Sequence, residues 1–167
     1  MTAAHSEDSP KTIPLRPRMA TRTSTSFAIV ASQYNLEYTQ SLVEYACKEL
    51  TELEPHSTIR VFWAPGSFEI PVLVKLLAKQ GKYEAILALG VLFDGETAHA
   101  DLVARSVTEA LQGIAVEKST PVLNGVLLMR SAEQARARCF EGDLNRGVEV
   151  ARAAVAVART VKELQGK

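Results

Sequence analysis

The sequence predicts a single α/β domain in which a four-stranded parallel sheet lies between two layers of helices. The chain has 167 residues, of which 47% are hydrophobic, and this is enough for one domain with a substantial core. Short apolar runs alternate with segments of helical periodicity. Because every connection between runs is long enough to hold a helix, parallel pairing of the strands is favoured.

Four apolar runs are predicted to be strands. The third run is apolar almost throughout, as expected of a parallel strand that is covered on both faces. The four predicted strands are Phe27–Ala31, Ile59–Trp63, Ala85–Phe93 and Pro121–Met129.

Helices are predicted between and after these strands. The segment Phe68–Gln80 carries Pro71 in its first turn, where proline is tolerated, and Gly81 just after its end. A last helix, Leu144–Leu164, is rich in Ala and Val on nearly all of its surface, which indicates deep burial or contact with another subunit. The other predicted helices are residues 38–53, Thr97–Lys118 and Ala132–Cys139.

Residues 1–26 show almost no apolar periodicity and are predicted to be a flexible N-terminal tail ahead of a domain at 27–167. The basic stretch Lys11–Arg22 has a second interpretation, as a transit or contact segment, although a solvated tail is favoured. No apolar run reaches transmembrane length, and no signal-peptide core precedes Phe27.

Charge and cysteine content narrow the function classes. The 19 Lys and Arg residues equal the 19 Asp and Glu residues, which argues against nucleic-acid and membrane partners. Near-zero net charge also suits a protein that assembles with itself. Cys47 and Cys139 have no metal-ligand spacing, and two lone cysteines predict a reducing cytoplasmic environment.

Polar and aromatic residues follow each predicted strand. They are Ser32–Asn35, Ala64–Glu69, Gly95–His99 and Arg130–Ser131 with Arg138 one short helix later. The carboxyl ends of parallel strands lie on one edge of a sheet, so these segments are expected to converge there.

The turn that begins at Gly95 combines an anion site with a titratable side chain. Glycine lets the backbone bend, and the free N–H groups of Glu96 and Thr97 at a helix start suit a phosphate. The alternative is an ordinary helix cap. His99, with an ordinary pKa of about 6.5, suits proton transfer near neutrality, whereas most lone histidines are only polar surface residues. Asp101 can orient His99 or only favour the helix start, since positions two apart do not share a helix face.

The other strand ends carry ring-binding and phosphate-binding candidates. Tyr34 and Phe68 can sandwich a planar ring or merely pack within loops. Glu69 can accept hydrogen bonds from a ring N–H or from sugar hydroxyls. Arg136 and Arg138 are phosphate candidates, because a guanidinium matches phosphate oxygens with two hydrogen bonds.

Seven stretches in unbroken order carry a family resemblance. They read SQYN at Ser32–Asn35, APGSFEIP at Ala64–Pro71, GKYEAILALG at Gly81–Gly90, GETAHAD at Gly95–Asp101, PVLNGVL at Pro121–Leu127, EQARAR at Glu133–Arg138 and NRG at Asn145–Gly147. Over about residues 27–160 the chain resembles the 6,7-dimethyl-8-ribityllumazine synthase family of riboflavin biosynthesis.

The resemblance implies a flavodoxin-like fold and a transferase that needs no cofactor and no metal. The implied reaction condenses 5-amino-6-(D-ribitylamino)uracil with 3,4-dihydroxy-2-butanone 4-phosphate and releases phosphate. Two other functions stay open: a ligand-binding or shell-forming relative with weak catalysis, and a receiver-like regulatory module. A receiver needs an acidic cluster after its first strand, which Ser32–Asn35 does not supply.

The resemblance also assigns roles to matched positions. His99 is the implied proton-transfer residue, with Asp101 and Arg146 as possible supporting residues. The implied butanone phosphate site contains Gly95, Glu96, Thr97 and Arg138. The implied pyrimidine and ribityl site contains Tyr34, Asn35, Ser67, Phe68, Glu69, Val91, Leu92, Phe93 and Asn124.

Assembly and two departures complete the expectations. The family resemblance implies a homopentamer with active sites between neighbours, an icosahedral shell of twelve pentamers in some members, and riboflavin synthase as a further partner. Asn124 stands where the family commonly has a phenylalanine, and Asp94 stands where it often has arginine. Asn124 weakens one wall of the ring pocket, and Asp94 opposes phosphate binding unless its side chain points outward.

Overall fold

The computed structural model describes residues 16–19, 25–95 and 98–166. Within these residues the chain forms four strands, five α-helices and two short 3-10 helices. The strands are β1 (Ser26–Ser32), β2 (Thr58–Ala64), β3 (Ala85–Phe93) and β4 (Val122–Met129). The α-helices are α1 (Leu36–Leu53), α2 (Ile70–Ala78), α3 (His99–Lys118), α4 (Ala132–Cys139) and α5 (Arg146–Leu164).

The sheet confirms the predicted fold class. Its strand order is β2-β1-β3-β4 and all neighbours pair in parallel, with Phe27 opposite both Ile59 and Ala85. The strand order reverses between β1 and β3, which is where doubly wound sheets form their ligand crevice. None of the described helices combines the length and apolar character needed to cross a membrane.

Two helical layers cover the sheet and create two cores. Helices α1, α4 and α5 cover one face, where Leu87 and Leu89 of β3 are buried. Helices α2 and α3 cover the other face, where Ile86 and Ala88 of the same strand are buried. Because β3 is buried on both faces, its sequence is apolar without alternation, as predicted.

Element boundaries follow the predictions closely, with two physical differences. The predicted helix Phe68–Gln80 is a 3-10 turn, Ser67–Glu69, followed by α2, and Gly81 lies beyond its end at φ 61°. The last helix begins at Arg146 because Asn145 has an extended backbone and its side chain accepts the N–H of Gly147 at 2.8 Å. The predicted start of α3 at Thr97 lies outside the described residues.

The start of α5 is pressed against the backbone of α1. A Cβ atom at Gly147 would lie 2.2 Å from the carbonyl oxygen of Leu42, which is a severe overlap. We expect Gly147→Ala to lower the free energy of unfolding by about 1–3 kcal/mol, because one of the two backbones must move. Urea denaturation followed by circular dichroism measures the change.

Gly113, in the middle of α3, offers a matched control. A Cβ atom there would meet nothing within 4 Å, so Gly113→Ala gains helix propensity without a clash. We expect this variant to be as stable as the parent chain or more stable. Equal stability of the Gly147→Ala variant and the parent would contradict the close approach.

Candidate active site

A cavity of about 330 Å³ opens at the carboxyl edge of the sheet, beside the point where the strand order reverses. Its volume is within the range of small-molecule sites. It is lined by Tyr34, Asn35, Gly66, Ser67, Phe68, Glu69, Leu92, Phe93, His99, Ala100 and Val103. Residues that follow β1, β2 and β3 therefore converge as the sequence predicts.

The turn after β1 supplies one wall of the cavity. Asn35 adopts the left-handed conformation at φ 55°, which asparagine tolerates better than most residues. Its Nδ2 donates to the carbonyl of Val91 at 2.8 Å and so ties the start of α1 to the end of β3. The backbone N–H of Tyr34 is held by Ser32 Oγ at 3.1 Å, while its ring is largely exposed. The ring is therefore available to a ligand on a fixed backbone.

The 3-10 turn after β2 supplies a second wall and an unpartnered hydroxyl. Ser67 is only 3% exposed, and in the described part of the chain its Oγ has no hydrogen-bond partner. Gly90 makes room for it, since a Cβ atom there would lie 2.6 Å from that Oγ. An unpaired buried hydroxyl costs about 1–3 kcal/mol, so this turn is held in place at some cost in stability. Phe68, the next residue, is largely exposed at the cavity.

The end of β3 forms a supported wall. Phe93 lines the cavity, and its ring packs edge-on against Tyr38 with centroids 5.4 Å apart. The ring centroids of Tyr38 and Phe140 are also 5.4 Å apart, so the Phe93 ring is supported by two packed aromatic side chains. Leu92 also lines the cavity, whereas Val91 is fully buried in the core and contributes its carbonyl to the Asn35 hydrogen bond.

His99 is the first residue of α3 and lines the cavity with an exposed ring. Val103, one helical turn later, lies on the same wall, as positions four apart on a helix do. The Asp101 carboxylate accepts from Arg105 Nε at 2.7 Å. Among the described residues Asp101 and His99 share no hydrogen bond. The supporting role of Asp101 therefore stays a prediction.

The predicted phosphate turn is described only in part. Gly95 is exposed at the end of β3, while Glu96 and Thr97 lie outside the described residues, so their phosphate role stays a prediction. The backbone N–H of Asp94 donates to Met129 at 2.8 Å, which keeps it in register with β4. The side chain of Asp94 is exposed to solvent.

Three predicted site residues lie apart from the cavity. Arg138 on α4 has its Nη1 4.0 Å from Glu149 Oε1 of α5, and Arg146 forms a hydrogen bond to the same carboxylate. Asn124 donates to Thr108 Oγ1 at 2.9 Å and accepts the N–H of Val126 at 3.0 Å. None of the three lines the cavity around His99. Helix α4 covers the α1 and α5 face of the sheet, whereas α3 covers the opposite face.

Neither cysteine is suited to chemistry at the site. Burial raises the pKa of the Cys139 thiol to about 11, and burial also raises that of Cys47, so both stay protonated. In the ranges that the structure describes, no group of three or more His, Cys, Asp or Glu side chains is placed to hold a metal ion.

Sequence reasoning missed three residues of the cavity and of the Arg138 and Arg146 cluster. Ala100 and Val103 line the cavity, and the Glu149 carboxylate is within ion-pair distance of both arginines on the other face. The four-residue spacing from His99 was a usable signal for Val103. No sequence signal distinguishes Glu149 from an ordinary acidic residue in the first turn of a helix.

Comparisons with a family model and with known proteins point to the same family. Residues 24–162 match the family model described as 6,7-dimethyl-8-ribityllumazine synthase. A 6,7-dimethyl-8-ribityllumazine synthase of Coxiella burnetii (strain Dugway 5J108-111) is 39% identical over 146 residues, which cover 87% of this chain and 97% of that protein. One of Xylella fastidiosa (strain M12) is 35% identical over 139 residues, covering 83% and 90% respectively.

Proposed function

The chain belongs to the 6,7-dimethyl-8-ribityllumazine synthase family, and we propose that it catalyses the reaction for which that family is named. The proposed substrates are 5-amino-6-(D-ribitylamino)uracil and 3,4-dihydroxy-2-butanone 4-phosphate. One observation carries the proposal: the cavity at the carboxyl edge brings Tyr34, Phe68, Glu69 and His99 together around a space of small-molecule size.

The chemistry requires positioning and proton transfer. The pyrimidine amine attacks the ketone and loses water to form an imine. Phosphate is then eliminated, and attack of the ribitylamino nitrogen on the remaining carbonyl closes the ring with loss of a second water. Holding two substrates in register can supply several kcal/mol of the barrier reduction, about 7–11 kcal/mol at best.

The cavity residues fit the pyrimidine substrate. The exposed rings of Tyr34 and Phe68 provide flat apolar surfaces for the heterocycle. The Glu69 carboxylate would accept hydrogen bonds from a ring N–H or a ribityl hydroxyl, and Ser67 forms part of the same wall. Asn35, Leu92 and Phe93 complete the walls, and Val91 acts only through its backbone.

The phosphate of the second substrate is proposed to bind beside His99. The turn Gly95–Thr97 would offer backbone N–H groups at the start of a helix. A guanidinium, that of Arg138, would supply the positive charge. His99 would then transfer protons during imine formation and phosphate elimination, close to where the leaving group departs.

The position of Arg138 outside this cavity is the reason to propose a second copy of the chain at each site. Because Arg138 does not line the His99 cavity of its own chain, we propose that a neighbouring copy supplies it, together with Arg146 and the Asn124 region. Exposed apolar side chains beside the cavity support such a contact: Phe68, Val72 and Leu76 follow one another at four-residue spacing. A head-to-tail contact closes into a ring when the rotation between neighbours divides a full turn, and we propose that it does so here.

Finer details of the assembly rest on the family resemblance. We propose a pentamer and leave the icosahedral shell and an association with riboflavin synthase as extensions of it. Two free cysteines, Cys47 and Cys139, support the proposed cytoplasmic location.

The direct test mixes both substrates with the purified chain and follows the absorbance and fluorescence of the lumazine product. We expect product and inorganic phosphate in equal amounts. Substrate binding without product would contradict the proposal and favour a ligand-binding relative with weak catalysis.

We expect His99→Ala to lower kcat about 10- to 100-fold without abolishing turnover, because positioning dominates and the histidine assists proton transfer. Steady-state kinetics at saturating concentrations of both substrates measure the change. His56→Ala, at an exposed turn residue outside the cavity, is the control and is expected to keep full activity. Full activity of the His99→Ala variant would exclude its proton-transfer role.

A further inference from the structure

The carboxylate of Glu149 joins two arginines from different helices. Arg146, the first residue of α5, donates to Glu149 Oε2, and Arg138 of α4 approaches Oε1 of the same carboxylate at 4.0 Å. The Glu149 side chain is 11% exposed, whereas those of Arg138 and Arg146 are 41% and 47% exposed. The carboxylate therefore lies beneath the two guanidinium groups, which still face solvent.

The backbone that carries Glu149 is firmly held. The side chain of Asn145, only 1% exposed, accepts the N–H of Gly147 at 2.8 Å and donates to the carbonyl of Cys139 at 2.5 Å. One amide side chain thus connects the end of α4 to the start of α5. Gly147 packs directly on the α1 backbone, which leaves the first turn of α5 little freedom.

Charge makes this cluster suitable for an anion. Two guanidinium groups face one carboxylate, so one positive charge is left over, and the N-terminal end of the α5 dipole adds to it. Each guanidinium has five N–H donors, most of which are not used by Glu149. A phosphate can therefore bind the exposed N–H groups while the carboxylate accepts from Arg146 and attracts Arg138 by its charge.

We propose that Glu149 is a positioning residue, which orients Arg138 and Arg146 as a paired phosphate clamp. This inference rests on the proposed function and deepens it, since it makes Arg146 a second phosphate ligand. The carboxylate does not touch substrate. It fixes the distance and direction of two flexible side chains before the substrate arrives, so less rotamer entropy is lost on binding.

The chain contains a matched control for this arrangement. Glu49 of α1 also holds two arginines, accepting from Arg152 Nε at 2.9 Å and from Arg16 Nε at 2.9 Å. Its side chain is 10% exposed, close to that of Glu149, yet its two partners are neither Arg138 nor Arg146. Although burial raises the pKa of Glu49, the arginine hydrogen bonds outweigh it and hold that pKa below its usual value. Glu49→Gln therefore removes a comparable ion-pair network that includes neither Arg138 nor Arg146.

The experiment compares Glu149→Gln with Glu49→Gln in the full chain. For Glu149→Gln we expect the KM for the butanone phosphate to rise about 10-fold while the KM for the pyrimidine stays unchanged, because only the phosphate clamp is loosened. The inhibition constant of inorganic phosphate, as a competitive inhibitor against the butanone phosphate, should rise by a similar factor. Glu49→Gln should leave both KM values unchanged.

Each other outcome contradicts the inference. Unchanged phosphate affinity would mean that Glu149 is only structural, and tighter phosphate binding would mean that it only neutralises the arginines. If Glu149→Gln does not fold, Glu149→Asp decides, with an expected rise of about 3-fold in the same KM alone. An unchanged KM in that variant overturns the inference. Absence of product from the parent chain would instead defeat the proposed function. Direct binding of inorganic phosphate, measured by calorimetry on the parent and Glu149→Gln, would still test the clamp.

Discussion

Arg138→Ala is expected to lower kcat/KM for the butanone phosphate about 100- to 1000-fold, the cost of removing one charged donor from a developing anion. The guanidinium of Arg138 is 41% exposed and its Nη1 lies 4.0 Å from Glu149 Oε1, so its exposed N–H groups are available to phosphate oxygens. Removal of the guanidinium should weaken binding of the butanone phosphate and should also slow the departure of phosphate. Steady-state kinetics with each substrate varied in turn measure both effects.

Two further variants make this expectation specific. Arg136 lies on the same helix, but its guanidinium is placed over the ring of Phe140 at 5.6 Å, so Arg136→Ala should stay near parental activity. Arg138→Lys keeps the charge and loses the two-pronged geometry, so it should recover only part of the activity. If Arg136→Ala loses activity and Arg138→Ala keeps it, Arg136 and not Arg138 is the phosphate ligand.

The fold was largely predictable from the sequence because local and global requirements agree. The strand Ala85–Phe93 is found as predicted, since burial on both faces demands an unbroken apolar run. Helix α4 is also found as predicted, because Ser131 caps it by accepting the N–H of Gln134. The 3-10 turn Gly142–Leu144 and the Asn145 cap were not predicted, since a polar loop of this length has several possible conformations.

The cavity residues of the candidate site were predictable from the sequence, but their separation from Arg138 was not. The rule that strand ends share one edge placed Tyr34, Phe68 and His99 together correctly. The same rule does not say which face of the sheet a later helix covers. Helix α4 lies on the face of α1 and α5, so Arg138 is directed to Glu149 and away from the His99 cavity. The Glu149 contact depends on packing between helices, which spacing along the chain does not encode.

Mixing His99→Ala with Arg138→Ala chains should give more activity than either variant has alone. In a head-to-tail ring each site takes its cavity from one chain and its Arg138 from the next. When the two variants assemble at random in equal amounts, about one quarter of the sites combine an intact cavity with an intact arginine. We expect about one quarter of parental activity after co-refolding, measured as lumazine formation and compared with the mean of the separately refolded variants.

A second mixture shows whether recovered activity comes from a shared site or only from stabilisation of the variants in mixed oligomers. His99→Ala and Tyr34→Ala both alter the same cavity, so every site in their mixture carries one defect, and no recovery is expected. Recovery in the first pair but not in the second requires that the cavity and Arg138 come from different chains. If the first pair stays at the mean of its two parents although mixed oligomers form, the cavity and Arg138 do not act in one site. The phosphate clamp of Arg138, Arg146 and Glu149 would then serve another anion, because it does not line the cavity of its own chain.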